Sequence, residues 1–140
     1  MIYTEVLLEH ARRPQHDAPV DRPTASGSAH NALCGDHVQV ELRLDEGRVA
    51  AVRVQTRGCA VAVAAGSLAG DVLLGRTPEE LTDLSARWLR ALHDPSLPES
   101  TLPGQLTPTF PVLAVRGRPS RRRCAALVWE ALAHLSTPSP

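Results

Sequence analysis

Lysine is absent from this chain: the basic side chains are all arginine, and 15 basic residues balance 15 acidic ones to a formal net charge of zero. That balance gives no bulk attraction toward nucleic acid or an anionic membrane, so neither is expected as a partner. Long hydrophobic runs are also missing, and no stretch approaches the ~18 consecutive apolar residues of a membrane-spanning helix. The opening stretch MIYTEVLLEHARRP has no basic leader and no small-residue cleavage site. No signal peptide is therefore expected, and the expected compartment is the cytoplasm. Cysteine is scarce: three residues, none in a CxxC pair, at intervals of 25 and 65 residues that match no zinc-finger spacing. An odd count in a reducing compartment argues against a disulfide framework and for thiols or metal ligands. There is no internal repeat.

What remains is a chain of 140 residues, 43% of them apolar, which suits one domain over 1–140 with a loose tail at 136–140. The spacing predicts a first helix with Val6, Leu7 and Ala11 on one side, ended by Pro14. Residues 14–33 read as a surface loop with a short edge strand near 25–32. The first clear strand runs from Asp36 to Leu44, and its alternation places Asp36, Val38, Val40, Leu42 and Leu44 on one face. A turn at Asp45–Gly47 leads into a second alternating run with Ala50, Val52, Val54 and Thr56. The following segment carries Val61, Ala64, Ala65, Leu68, Val72 and Leu73 at helical spacing, with Gly75 as its stop. Thr77, Pro78 and Glu80 form a capping box for a helix whose stripe is Leu81, Leu84, Trp88 and Leu92. Residues 94–117 read as a Pro-rich connection. A last helix starts near Ser120, with Cys124, Leu127, Val128, Ala131, Leu132 and Leu135 on one face. The expected fold is α+β: a small antiparallel β-sheet with helices packed on one face.

The oddity is that a carboxylate, Asp36, begins the apolar face of a strand two residues after Cys34. A three-residue hairpin loop with Gly47 in the left-handed region pairs Leu44 with Arg48 and Leu42 with Ala50, and keeps the apolar residues together. The same register puts Asp36 near Thr56 and Cys34 near Gly58, with Cys59 following. Cys124 lies in the expected first turn of the last helix behind Arg121, Arg122 and Arg123, a setting that favours thiolate. If that end of the helix meets the end of the hairpin, Cys34, Asp36, Cys59 and Cys124 converge. Three thiolates and a carboxylate suit Zn²⁺ and also a transient iron–sulfur cluster. A cation would explain an inward carboxylate, since an unpaired buried one is costly. Each cysteine read alone also serves as a small buried hydrophobe, and the arginines as a solvated helix start. The six histidines are scattered, and none is a candidate ligand.

Four segments resemble the SufU branch of the IscU/NifU-type iron–sulfur assembly proteins: IYTEVLLEHARRP, NALCGDHVQVEL, GCAVAVAAGSLAGDVLLG and RPSRRRCAALVWEAL. Arg123 stands where IscU-type scaffolds have a His before the third cysteine, and the 65-residue gap from Cys59 to Cys124 is similar to the long SufU form. The residue before Pro119 is Arg118, where the family often has an aromatic. The resemblance implies a SufE/NifU-like fold and Zn²⁺ held by Cys34, Asp36, Cys59 and Cys124. It implies a sulfur acceptor for a pyridoxal-phosphate cysteine desulfurase of the SufS type, passing sulfur to a cluster-building complex of the SufBCD type. In the family mechanism a partner His displaces one cysteine from zinc, and the freed thiolate takes the persulfide sulfur. Cys34, at the edge of a Gly/Pro-rich loop, is the expected acceptor, and Arg121 the expected charge support. The resemblance implies an accessory sulfurtransferase-type sulfur carrier working with that desulfurase. The alternatives are a scaffold on which an iron–sulfur cluster is assembled and a structural zinc-binding interaction module.

Overall fold

The computed structural model describes residues 4–33 and 35–136. Their order is α1 (Glu5–Arg12), β1 (Ala25–Asn31), β2 (Asp36–Asp45), β3 (Arg48–Arg57), α2 (Ala60–Leu73), α3 (Pro78–His93), two 3-10 segments (Glu99–Thr101 and Gly104–Val115) and α4 (Pro119–Ala133). The strands form an antiparallel meander, β1-β2-β3. Helices cover one face, with α2 packed on β3 and α4 on β1 and β2. This is the expected α+β class. The alternation of β2 is reproduced: Asp36, Val38, Val40 and Leu42 are buried, while His37 and Gln39 are exposed.

The hairpin register differs from the expected one. Asp45 pairs with Arg48 across a two-residue turn, with Glu46 and Gly47 both at positive φ (54° and 78°), the mark of a type I′ turn. Such a turn alone would mismatch the two apolar faces. A bulge between Arg43 and Leu44 corrects it: Leu44 pairs with Val49 and Arg43 with Ala51, so Ala50 is the extra residue. Val49, not Ala50, therefore enters the core, and Leu42 faces Val52 rather than Ala50. The pairing runs on to Val38–Thr56 and His37–Arg57, which shifts Asp36 past Thr56 to the level of Gly58.

Both sheet edges are covered. The main-chain N–H of Val54 donates to the carbonyl of His16 (2.7 Å), and Ser26 exchanges two main-chain bonds with Ser136 (3.0 and 2.8 Å). Ser136 is thus bonded, whereas the expected tail began there; residues 137–140 lie outside the described residues. The segment after α1 is tied to α2 through Ser67 Oγ, which accepts from Gln15 N–H (2.7 Å) and lies 2.6 Å from His10 Nδ1.

In α1, Leu7 is buried but Val6 is 45% exposed, so Val6 does not share the inward face expected of it. The α3 start matches the capping box: Thr77 Oγ1 accepts from Glu80 N–H at 3.2 Å, with Pro78 opening the helix. Thr77→Ala is expected to lower unfolding stability by about 1 kcal/mol in a urea titration, with the slope unchanged.

The 94–117 stretch is more than a connection. Gly104–Val115 is a 3-10 helix containing Pro108 and Pro111, and it buries Leu106, Thr109, Val112, Leu113 and Val115. Prolines remove the donors that a regular α-helix needs, so the pattern hides from a 3.6-residue reading. The segment packs on α2, and Phe110 stacks 6.4 Å from Trp88, which also meets Trp129 at 6.3 Å.

Candidate metal centre

Three elements, β2, α2 and α4, meet at one end of the sheet. Asp36 is the first residue of β2 and is 2% exposed. Cys59 is the N-cap of α2 and half-buried. Cys124 lies on α4 and is 3% exposed. One carboxylate oxygen and the two Sγ atoms all lie within 4.8 Å of one another. Donors sharing one tetrahedral Zn²⁺ sit about 3.8 Å apart, so a small inward adjustment brings this set into coordination range.

The asymmetry of the Asp36 carboxylate carries the argument. Its Oδ1 accepts the Cys59 main-chain N–H at 3.0 Å. Its Oδ2 is buried and has no hydrogen-bond partner of ordinary geometry. A buried acceptor left in this way costs about 1–3 kcal/mol, and more when charged. What faces it are thiols, which are weak donors. Gly58 makes the approach possible: at φ +154°, a Cβ there would sit 2.6 Å from Asp36 Cγ and collide with Oδ1.

The expectation for Cys124 is corrected. Helix α4 begins at Pro119, so Cys124 is in its second turn, where the end effect of the helix has faded. Burial pushes the Cys124 thiol well above its ordinary pKa, reinforced by hydrogen bonding to Asp36 and Cys59 and by their negative charge. The neighbouring arginines do not reverse this. Two sulfurs and a carboxylate packed together favour one proton too many or one cation. The orphaned Oδ2 and the soft, anionic donor set fit Zn²⁺ or iron.

Cys34 lies outside the described residues. Its described neighbours Leu33 and Gly35 are anchored at Asn31, which is 3% exposed, pairs with Asp36, accepts Leu33 N–H on Oδ1 (3.1 Å) and accepts Gly35 N–H on its carbonyl (2.8 Å). Leu33 is 81% exposed. Arg121 is half-buried, one helical turn before Cys124. Sequence reasoning overlooked Gly58 and Asn31. The glycine directly before a cysteine and the asparagine opening NALCGD were the available signals.

A small antiparallel sheet covered by helices on one face, with cysteines and an aspartate meeting where strands give way to helices, is the architecture of the iron–sulfur assembly class of NifU-like domains. The model of the NifU-like N terminal domain matches residues 2–103, and the chain belongs to that family. Within it, the chain is similar to SufU- and IscU-type members. It is 26% identical to the iron–sulfur cluster assembly scaffold protein IscU of Streptococcus pyogenes serotype M1 over 94% of this chain and 80% of that protein. It is 22% identical to the zinc-dependent sulfurtransferase SufU of Bacillus subtilis over 94% of this chain and 86% of that protein. A crystal structure described as a putative iron–sulfur cluster assembly scaffold protein for the SUF system, from Fervidobacterium islandicum, superposes with a TM-score of 0.80 at 20% identity, covering 95% of each chain. At that identity the superposition shows the shared fold alone. No helix among the described residues is long and apolar enough to cross a membrane.

Proposed function

We propose that this chain is a zinc-dependent sulfur acceptor in iron–sulfur cluster assembly, taking persulfide sulfur from a pyridoxal-phosphate cysteine desulfurase. The observation that carries the reading is a buried, half-satisfied carboxylate between two thiols, at the base of a short turn whose sequence contains a third cysteine. Asp36, Cys59 and Cys124 would hold the metal, with Cys34 as the fourth ligand. Bound zinc would keep the thiols ionised at neutral pH and shield them from oxidation.

The chain's own part follows from position. Cys59 and Cys124 start or sit in helices and are fixed by the core, while Cys34 follows Leu33, which stands in solvent. Cys34 is therefore the acceptor. Its thiolate attacks the terminal sulfur of the donor's Cys–S–SH. A new S–S bond forms at Cys34, the donor's S–S bond breaks, and the electron pair leaves on the donor's thiolate. Asn31 fixes the main chain at Leu33 and Gly35, the sequence neighbours of the acceptor, and Arg121 offsets part of the negative charge of a site with more thiolates than the metal neutralises. The similarity to an IscU scaffold keeps cluster assembly on the same residues as the second reading.

Elemental analysis of anaerobically purified protein separates these readings. The relay predicts about one zinc per chain, with retention weakened ~10–100-fold or more in Asp36→Ala. Iron together with sulfide, and a coloured protein, would replace the relay by the scaffold. Metal-free protein from a zinc-replete preparation would refute both.

A further inference from the structure

The start of α4 differs from those of α1 and α3, and unlike α2, which also lacks a side-chain cap and an acidic first turn, it carries a run of arginines. Helix α1 has Thr4 as its cap and Glu5 in the first turn; α3 has Thr77, Glu79 and Glu80. Negative charge belongs there, against the positive end of the helix dipole. Helix α4 has Arg118 as its cap residue with no side-chain cap bond, no acidic residue in its first turn, and Arg121, Arg122 and Arg123 in sequence. Between 116 and 123 there are five arginines and no carboxylate, in a chain whose net charge is zero. Local helix stability cannot be what selects them, and breaches of local consistency collect at functional sites.

Their position is as unusual as their charge. Arg121–Arg123 lead directly into Cys124. On the far side of the centre, Arg57 ends β3 two residues before Cys59 and pairs with His37 beside Asp36. Arg57, Arg118 and Arg123 are exposed and make no ion pair among the described residues. Arg122 is turned onto the main-chain carbonyl of Arg116, whereas Arg116 bonds the carbonyl of Ala91 and lends its charge to Asp94. By contrast Arg43, Arg48, Arg53, Arg76 and Arg87, away from this end, each meet a carboxylate.

We infer that Arg57 and the Arg118–Arg123 cluster form an electrostatic docking collar around the Asp36–Cys59–Cys124 centre, and that its partner is a protein whose sulfur-delivering face is acidic. This rests on the sulfur-acceptor reading for the identity of that partner, a cysteine desulfurase. A protein face suits the patch better than a nucleic acid. The patch is short and caps one end of the sheet, and both tryptophans, the residues that would stack on bases, are fully buried. Complementary charge raises the encounter rate and fixes orientation, which sulfur transfer between two thiols requires.

The test is a double charge reversal, Arg118→Glu with Arg123→Glu, beside Arg118→Lys with Arg123→Lys, all zinc-loaded. Both residues are exposed, and Glu at the Arg118 cap position is favourable, so thermal stability is expected to stay level or rise. Binding to the desulfurase is titrated, and sulfur uptake is followed from the desulfurase and from free cysteine persulfide. At about 50 mM salt the Glu variant is expected to lose about tenfold or more in affinity and in uptake from the desulfurase, a gap that closes near about 500 mM. The Lys variant should follow wild type, and uptake from free cysteine persulfide should be equal in all three. Equal binding of wild type and Glu variant at low salt would overturn the collar. So would salt-independent binding, or an oligonucleotide that displaces the desulfurase. Charge-dependent binding with no sulfur accepted from either donor would leave the collar standing and remove the sulfur-acceptor reading instead.

Discussion

Asp36→Asn is expected to move the metal-free and metal-loaded proteins in opposite directions. In the metal-free state Asp36 places one buried oxygen against thiols with no ordinary donor. An amide keeps the Oδ1 that accepts from Cys59 N–H (3.0 Å) and replaces the orphaned oxygen with a donor aimed at sulfur. The variant should gain about 1 kcal/mol when unfolded in excess chelator. With zinc present the balance reverses. Metal at about a thousand times its dissociation constant stabilises the native state by about 4 kcal/mol, and each tenfold loss of affinity removes about 1.4 kcal/mol of that. Two urea titrations per protein, with chelator and with zinc, test the crossover. If Asn shifts stability by the same amount in both conditions, Asp36 holds no metal.

The candidate site was legible because two independent patterns pointed to one place. Hairpin pairing carries Asp36 toward Cys59, and the apolar stripe of α4 turns Cys124 inward. The register was misjudged by two residues, because a type I′ turn and a bulge at Ala50 together mimic the parity of a three-residue loop. Side-chain alternation reports parity and cannot see such compensation. Burial of α2 was under-read for a related reason. Nearly the whole helix is enclosed, by α1, α4, β3 and the Gly104–Val115 segment, and an enclosed helix has no polar face to reveal its orientation. The arginines before Cys124 misled for an energetic reason: their charges are partly in water, whereas the Cys124 side chain is out of contact with solvent, and burial outweighs them.

Gly58→Ala is expected to damage the centre without touching any candidate ligand. The strand-to-helix step requires the main chain of residue 58 to run against the Asp36 side chain, and the backbone there sits at φ +154°, where a Cβ is disfavoured. A methyl group would overlap Oδ1 and lie 2.6 Å from Cγ and 2.9 Å from Cβ of Asp36. Either the carboxylate swings away, breaking its bond to Cys59 N–H, or the start of α2 shifts and carries Cys59 with it. Both routes separate donors that now lie within 4.8 Å of one another. The expected loss is about 2–3 kcal/mol of stability from overpacking and strain, together with ~10–100-fold weaker zinc retention in a chelator competition. Gly104→Ala serves as the control, because a Cβ there meets nothing within 4 Å and should leave both quantities unchanged. Full zinc retention in Gly58→Ala would mean that the carboxylate can leave its pocket without consequence for the metal. The donor set would then have to be completed without Asp36. Loss of zinc with stability intact would instead mark residue 58 as a positioning residue for the centre alone, because the core beneath α2 would have absorbed the methyl group while the geometry of Asp36 and Cys59 had not.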